Sequence, residues 1–302
     1  MLKLSLCCIS NKLSDSGIKF QTMTYARFAS INRGEAVSVL SKRILNNFRV
    51  NHQTIKFCVE SGFSGYRMSS SLMPLLDHPA VNLSLDELPD FDEMVDELDR
   101  TGKTIKNTGI RISAHPSEYI SLTSEDPRVI DNSVRDLESH AELFDLLDLP
   151  RDYRSPLNIH VRKDGPPEAI SARFWANYGR LSQGVKSRLV LENNDNAKGV
   201  WSIKNLYEFF HLRYGFPLTW DSLHDKLLNH DLPPEQSFSL AFSTWPCVPL
   251  FHYSEGIDGT RKHADYALGI PNSYGKEVCW DCELKQKDFA INDIIKRTLA
   301  KD

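Results

Sequence analysis

The stretch Arg111-Ile112-Ser113-Ala114-His115 decides how the rest of the chain is read. Read as a β-strand, it sets Arg111, Ser113 and His115 on one face and Ile110, Ile112 and Ala114 on the other. The apolar face suits contact with helices, and the polar face then looks into a barrel. Taken alone, a strand-end histidine is usually a hydrogen-bonded structural residue. Here, however, the same ending recurs in Leu157-Asn158-Ile159-His160, Leu189-Val190-Leu191-Glu192, Leu218-Thr219-Trp220-Asp221 and Cys279-Trp280-Asp281-Cys282-Glu283. Pro249-Leu250-Phe251-His252 makes a sixth. If these strands run parallel, their last side chains converge on one spot, as in a metal cluster at the mouth of an α/β barrel.

Eight apolar runs qualify as strands, near 3–9, 64–69, 109–115, 156–161, 187–192, 216–221, 248–253 and 278–283. Helical periodicity falls between them, near 35–60, 90–107, 127–146, 167–183, 202–214 and 233–243, with Leu232-Pro233-Pro234-Glu235 as a start signal for the last. Alternation of this kind predicts a single (β/α)8 TIM barrel spanning 1–302, with the functional residues at the C-terminal face of the strands. Residues 10–34 lack periodicity and read as an extended loop over the barrel mouth, where loops usually carry function.

Composition agrees with one large globular domain: 302 residues, 41% hydrophobic and 25% charged. Net charge is -4, so no global basic field advertises nucleic acid, and affinity for DNA must come from a local patch or from bound cations. The N-terminus lacks a basic leader followed by an apolar run, and no stretch has membrane-spanning length. The expectation is an unsecreted cytoplasmic protein (host cytoplasm if the source is viral), monomeric and without a membrane partner. Six scattered cysteines fit reduced thiols better than a disulfide framework. Cys279 and Cys282 form a CxxC, but it lies within a strand and has no second pair, which disfavours a zinc ribbon or redox motif.

Of the ten histidines, His52, His140, His211 and His230 fall in or beside helical patterns and read as surface or capping residues. The others join the strand-end acids. Asp221-Ser222-Leu223-His224 adds a ligand just past its strand, His263 follows His252 by a loop, and His78 ends the loop after strand two. Together these residues suit two or three divalent ions, with Glu192 the natural bridge. Imidazoles mixed with carboxylates accept zinc or manganese. Clustered divalent ions activate water, polarise phosphoryl oxygens and stabilise a departing alkoxide, so phosphodiester hydrolysis needs no covalent nucleophile.

Several motifs together resemble the UV damage endonucleases, a TIM-barrel family related to endonuclease IV-type AP endonucleases. They are Phe63-Ser-Gly-Tyr-Arg-Met-Ser-Ser-Ser-Leu-Met-Pro-Leu-Leu-Asp-His78-Pro, Arg111-Ile-Ser-Ala-His115-Pro-Ser-Glu-Tyr119, Asn158-Ile-His160-Val, Leu191-Glu192-Asn-Asn-Asp, Trp220-Asp221-Ser-Leu-His224, Thr244-Trp with His252 downstream, and Cys282-Glu283-Leu-Lys-Gln-Lys. The resemblance runs from about residue 3 to 288. It implies a manganese-dependent enzyme that cuts the phosphodiester 5′ of a lesion in double-stranded DNA, leaving a 3′-hydroxyl and a 5′-phosphate. It implies one metal on His115, His160 and Glu192, a second on Glu192, Asp221, His252 and Glu283, and a third on His224 with His263. His78 matches a further active-site histidine. Glu192, Glu283 and His252 are the expected catalytic centre, and Lys285 is expected to neutralise phosphate.

Four departures from the family pattern stand out, one of them a triplet. Leu6 stands for a tyrosine, Ser10 for an asparagine, Ser117-Glu118-Tyr119 for Gly-Gln-Tyr, and Leu250 for a lysine that some members carry as a carbamate. Leu6, Ser10, Glu118 and Tyr119 thus occupy the places expected to probe the damaged step, with Tyr119 the surviving aromatic wedge. Two other readings compete with this one. A sugar isomerase or epimerase barrel would use fewer histidines and has no purpose for the Tyr119 segment. A non-catalytic lesion-binding barrel has no physical need for so many buried-edge charges.

Overall fold

The computed structural model describes residues 2–162, 165–196, 198–228, 232–257 and 259–300. Eight strands form one parallel sheet: β1 Lys3–Cys7, β2 Gly65–Met68, β3 Arg111–Ala114, β4 Leu157–His160, β5 Leu189–Glu192, β6 Leu218–Thr219, β7 Leu250–Tyr253 and β8 Cys279–Cys282. Their spatial order is β6-β5-β4-β3-β2-β1-β8-β7. The remaining seam is bridged by Asp221 and His252, with the His252 amide donating to the Trp220 carbonyl at 3.0 Å. Two expected ligand positions thus help to close the barrel.

Helices follow the strands, except that among the described residues none separates β7 from β8: α1 Asn11–Asp15, α2 Tyr25–Ala29, α3 Arg33–Glu60, α4 Phe91–Thr108, α5 Pro127–Leu146, α6 Pro167–Tyr178, α7 Gln183–Lys186, α8 Ile203–Leu206, α9 Leu212–Tyr214, α10 Ser222–Leu227, α11 Pro234–Ser243 and α12 Lys287–Leu299. A π turn, Tyr207–His211, joins α8 to α9. Among the described residues no helix is long and apolar enough to cross a membrane. Residues 10–34 are not structureless as expected. Ser10 caps α1 by accepting from the Leu13 amide, and Thr24 caps α2 by accepting from the Arg27 amide. The helix α12 was not foreseen.

Strand parity decides what lies inside. On β3, Arg111 seals the N-terminal end of the barrel, donating from Nη1 to the Val248 carbonyl at 2.7 Å and from Nη2 to that of Tyr153 at 2.9 Å. One layer up, Ser113 donates to Asp281 across the barrel at 3.2 Å. His115, one layer further, reaches the mouth. The opposite parity packs against the helices, where Trp280, Phe251 and Phe238 are fully buried with ring centroids 5.3 to 6.3 Å apart.

Cys279 and Cys282 are three apart on β8, so the pleat sends them to opposite faces and no CxxC site forms. All six thiols are free. Two histidines expected at the surface or as caps are hydrogen-bonded to carboxylates of helices instead. His140 is buried, its Nδ1 3.0 Å from Asp136 Oδ1, and His52 Nδ1 lies 2.6 Å from Glu97 Oε1. His211 bonds the Phe216 carbonyl at 2.9 Å near its helix end, as a cap would, and His230 lies outside the described residues.

Candidate metal centre

Parallel register brings the strand-end residues to one level. His160 pairs with Glu192, Asp221 bridges His252, and His252 pairs with Asp281. Asp221 also starts a helix. Its Oδ1 accepts from the amides of Leu223 and His224 at 2.7 and 2.8 Å, which turns the chain into α10 and carries His224 back to the site. Oδ2 is thereby left free and buried, without a hydrogen-bond partner. His263 returns through a loop pinned by its bridge to Gly256.

Glu192 lies at the centre, 1% exposed. Its Oε2 is 3.1 Å from His115 Nε2 and 3.8 Å from His160 Nε2, and its Oε1 is 3.2 Å from both His224 Nδ1 and His252 Nδ1. His252 Nδ1 is also 3.4 Å from Glu283 Oε1, whose Oε2 lies 3.6 Å from His263 Nε2. Among the described residues, three groups have ligand atoms within 4.8 Å of one another: His115, His160 and Glu192; Glu192, Asp221 and His224; Asp221, His252 and Glu283. Glu192 and Asp221 each belong to two of them. The first group is the expected first metal set. The others divide the expected second set differently, and His224 stands with Glu192 and Asp221 while His263 stands beside Glu283.

The donors fit divalent ions. Besides Asp221 Oδ2, the ring nitrogens His160 Nδ1 and His252 Nδ1 are buried without hydrogen-bond partners, a cost that coordination would remove. Charge is tightly coupled across the cluster. Burial alone would raise Glu192, but the surrounding imidazoles, His252 and His160 foremost, hold it well below the usual carboxylate range. Burial also disfavours the charged form of His252, yet Glu192 and Glu283 lift its pKa to about 9. At His160 burial prevails, aided by His115 and His224, and its pKa falls to about 4.

Three residues of the centre had drawn no assignment. Arg67 on β2 is buried and ion-paired to Glu283, which it helps to hold in the anionic form against burial. Asn158 donates to Glu192 Oε2. Asn193 accepts the Asp221 amide at 2.8 Å, and its carbonyl takes His224 Nδ1 at 3.0 Å. Arg67 and Asn158 lie on interior parity within motifs already quoted, and that parity was the available signal.

The expected DNA-facing residues separate. Tyr119 is 82% exposed in the loop after β3, with Glu118 exposed beside it and Lys285 exposed past β8. Leu6, however, is fully buried between Tyr66 and Cys282 in the sheet, and Ser10 is buried at the start of α1. Neither presents its side chain to a duplex in this conformation. Nothing in the first loop replaces Leu6 on its strand, although Tyr25 is 41% exposed and stacks on His78 with centroids 4.5 Å apart. His78 joins none of the three ligand groups.

A closed parallel barrel whose C-terminal mouth gathers imidazoles and carboxylates places the chain among the barrel enzymes with metal-type centres. Its family follows from direct comparison. The UV-endonuclease UvdE family profile matches residues 2–301, and the chain belongs to that family. It is 31% identical over 295 residues to the UV DNA damage endonuclease of Nostoc sp., covering 96% of this chain and 88% of that protein. The corresponding protein of Deinococcus radiodurans is 29% identical over 284 residues, covering 91% and 89%. The crystal structure of SacUVDE matches with a TM-score of 0.82 and 26% identity, covering 100% of both chains. A D-tagatose 3-epimerase-like protein reaches a TM-score of 0.57 at 12% identity, covering 99% of this chain and 97% of that one, a likeness of fold alone.

Proposed function

We propose that this chain is a metal-dependent DNA repair endonuclease, hydrolysing the phosphodiester 5′ of a UV lesion or another modified nucleotide. The observation that carries this reading is the set of three ligand groups linked through Glu192 and Asp221 at the barrel mouth. Family membership and the names of the similar proteins support the DNA repair substrate. An epimerase reading has only a shared fold behind it.

In this reading His115, His160, Glu192, Asp221, His224, His252 and Glu283 hold two or three divalent ions, manganese by preference, with His263 adding a donor beside Glu283. Such ions supply Lewis acidity, acidifying water and polarising phosphoryl oxygens. The protein's part is geometric and electrostatic. Glu192 stays anionic among the neighbouring imidazoles, Asp221 offers its free Oδ2 to two donor groups, and Arg67 keeps Glu283 ionised. Asn158 and Asn193 fix the orientation of Glu192, Asp221 and His224. Water adds to phosphorus and the 3′-oxygen of the upstream nucleotide leaves with a proton, giving a 3′-hydroxyl and a 5′-phosphate. Tyr119 meets the damaged step, Lys285 meets phosphate, and the enzyme acts as a monomer.

The test is nicking of supercoiled plasmid, irradiated and unirradiated, with manganese, magnesium or EDTA. Manganese should support nicking of the irradiated plasmid, EDTA should abolish it, and the ends should accept ligation. Glu192→Ala should reduce cleavage by at least about a thousandfold while DNA binding persists, since a bridging carboxylate serves two ions and contacts no phosphate. Cleavage in EDTA, or full activity in Glu192→Ala, would refute the metal reading.

A further inference from the structure

Asp281 is a fully buried carboxylate that belongs to none of the ligand groups. It lies on β8 inside the barrel, where its Oδ2 accepts from Ser113 at 3.2 Å and its Oδ1 has no hydrogen-bond partner. Burying a carboxylate so thinly bonded is costly, and besides the Ser113 hydrogen bond only the nearby charges of Arg67 and His252 offset it. The parallel register sets Asp281 directly beside His252.

The His252 ring spans from the cluster to this carboxylate. Its Nδ1 faces Glu192 and Glu283 at 3.2 and 3.4 Å, while its Nε2 faces Asp281 Oδ2 at 3.8 Å. The ring is itself wholly buried. Only one nitrogen of a neutral imidazole carries the proton, and whichever group accepts that proton decides which nitrogen is left as donor.

We propose that Asp281 is a positioning residue that accepts the Nε2 proton of His252 and so presents Nδ1, lone pair outward, to a metal ion. This rests on the reading of His252 as a metal ligand. The 3.8 Å separation exceeds a hydrogen bond, and Nε2 has no other partner, so the proposal requires this contact to shorten when the site is loaded. A carboxylate behind a ligating histidine fixes the tautomer and makes the donor nitrogen more basic. Ser113 donates to the same carboxylate oxygen that faces Nε2, so the relay runs from β3 through β8 to β7.

The test is titration of the metal-free protein with Co2+, followed by visible absorption, for wild type, Asp281→Asn and Asp281→Ala. Asp281→Ala should weaken cobalt affinity by about 10- to 100-fold and alter the visible band. Asp281→Asn, which keeps a weaker acceptor, should fall between it and wild type. The metal-free thermal midpoint should be unchanged or higher in both, because a buried charge has been removed from a functional site. Asp288→Ala is the control, since Asp288 is equally buried but caps α1. It should lower the midpoint and leave cobalt affinity unchanged. Wild-type cobalt affinity and spectrum in Asp281→Ala would overturn the inference and leave the nuclease reading standing, as would a collapse of its metal-free midpoint, which marks a purely structural residue. A wild type that binds no cobalt and cleaves DNA in EDTA would overturn the metal reading and this inference with it.

Discussion

Proton balance at single residues governs how this centre responds to pH. Glu192 and Glu283 raise His252 from 6.5 to about 9 in the metal-free protein. Its folded-state pKa lies above the unfolded value, so the ion pair stabilises the metal-free fold fully below 6.5 and is lost as pH rises through about 9. The same proton competes with metal. Metal uptake below about pH 9 should therefore release protons and weaken as pH falls, which calorimetry in buffers of different ionisation enthalpy reads directly. Uptake without proton release would contradict this. Tyr119, proposed to meet the damaged step, is exposed in the loop after β3. Tyr119→Ala should cost about 1 to 3 kcal/mol in binding damaged duplex and nothing in thermal stability, measured by fluorescence anisotropy and melting. Leu6→Tyr, by contrast, places bulk in a fully buried site and should destabilise the fold by about 1 to 3 kcal/mol rather than add a wedge.

Elements at the mouth depend on partners far away in the chain. Asp288 at the start of α12 accepts from the Asn11 amide at 2.6 Å and the Lys12 amide at 3.3 Å, so it caps α1 from 276 or more residues away. Asp288→Ala should cost about 1 to 2 kcal/mol and expose residues 10–34 to limited proteolysis, with chemical denaturation giving the stability term. A variant as resistant as wild type would show that α1 is held by other contacts. The short elements of this region were also the hardest to foresee. Helices of five residues carry too few turns for a hydrophobic period, and only their caps, Ser10 and Thr24, mark them in sequence. The long α3, α4 and α5 were legible because each buries one face over many turns.

Across the whole molecule, barrel closure depends on buried charge away from the centre as well as on the seam at His252. Arg188, fully buried just before β5, donates to Asp145 at 2.9 Å and to the carbonyls of Pro150 and Leu149, each at 2.9 Å. Asp145 is in turn held by Arg151. Arg188→Leu should cost about 3 to 5 kcal/mol, since it strands buried carbonyls as well as breaking the pair. Urea unfolding measures it, and a loss under about 1 kcal/mol would show that water replaces the guanidinium.

Eight strands, their parallel arrangement between helices and the strand-end placing of His115, His160, Glu192, Asp221, His252 and Glu283 were legible in the sequence alone, because period-two parity and period-3.6 amphipathicity are local properties. Which of these side chains come within reach of one another was decided only by tertiary structure. The grouping of His224 with Glu192 and Asp221 depends on cross-strand register, and the placing of His263 beside Glu283 depends on a returning loop. The burial of Leu6 was likewise invisible locally. An apolar residue near a strand end can face the helices or the mouth, and only the packed sheet, with Tyr66 on one side and Cys282 on the other, selects between them. Arg67, Asn158 and Asp281 carried the right parity in sequence but acquired partners only when β2, β4 and β8 were rolled into one interior, where a charge must find its counterpart across the barrel because water cannot supply it.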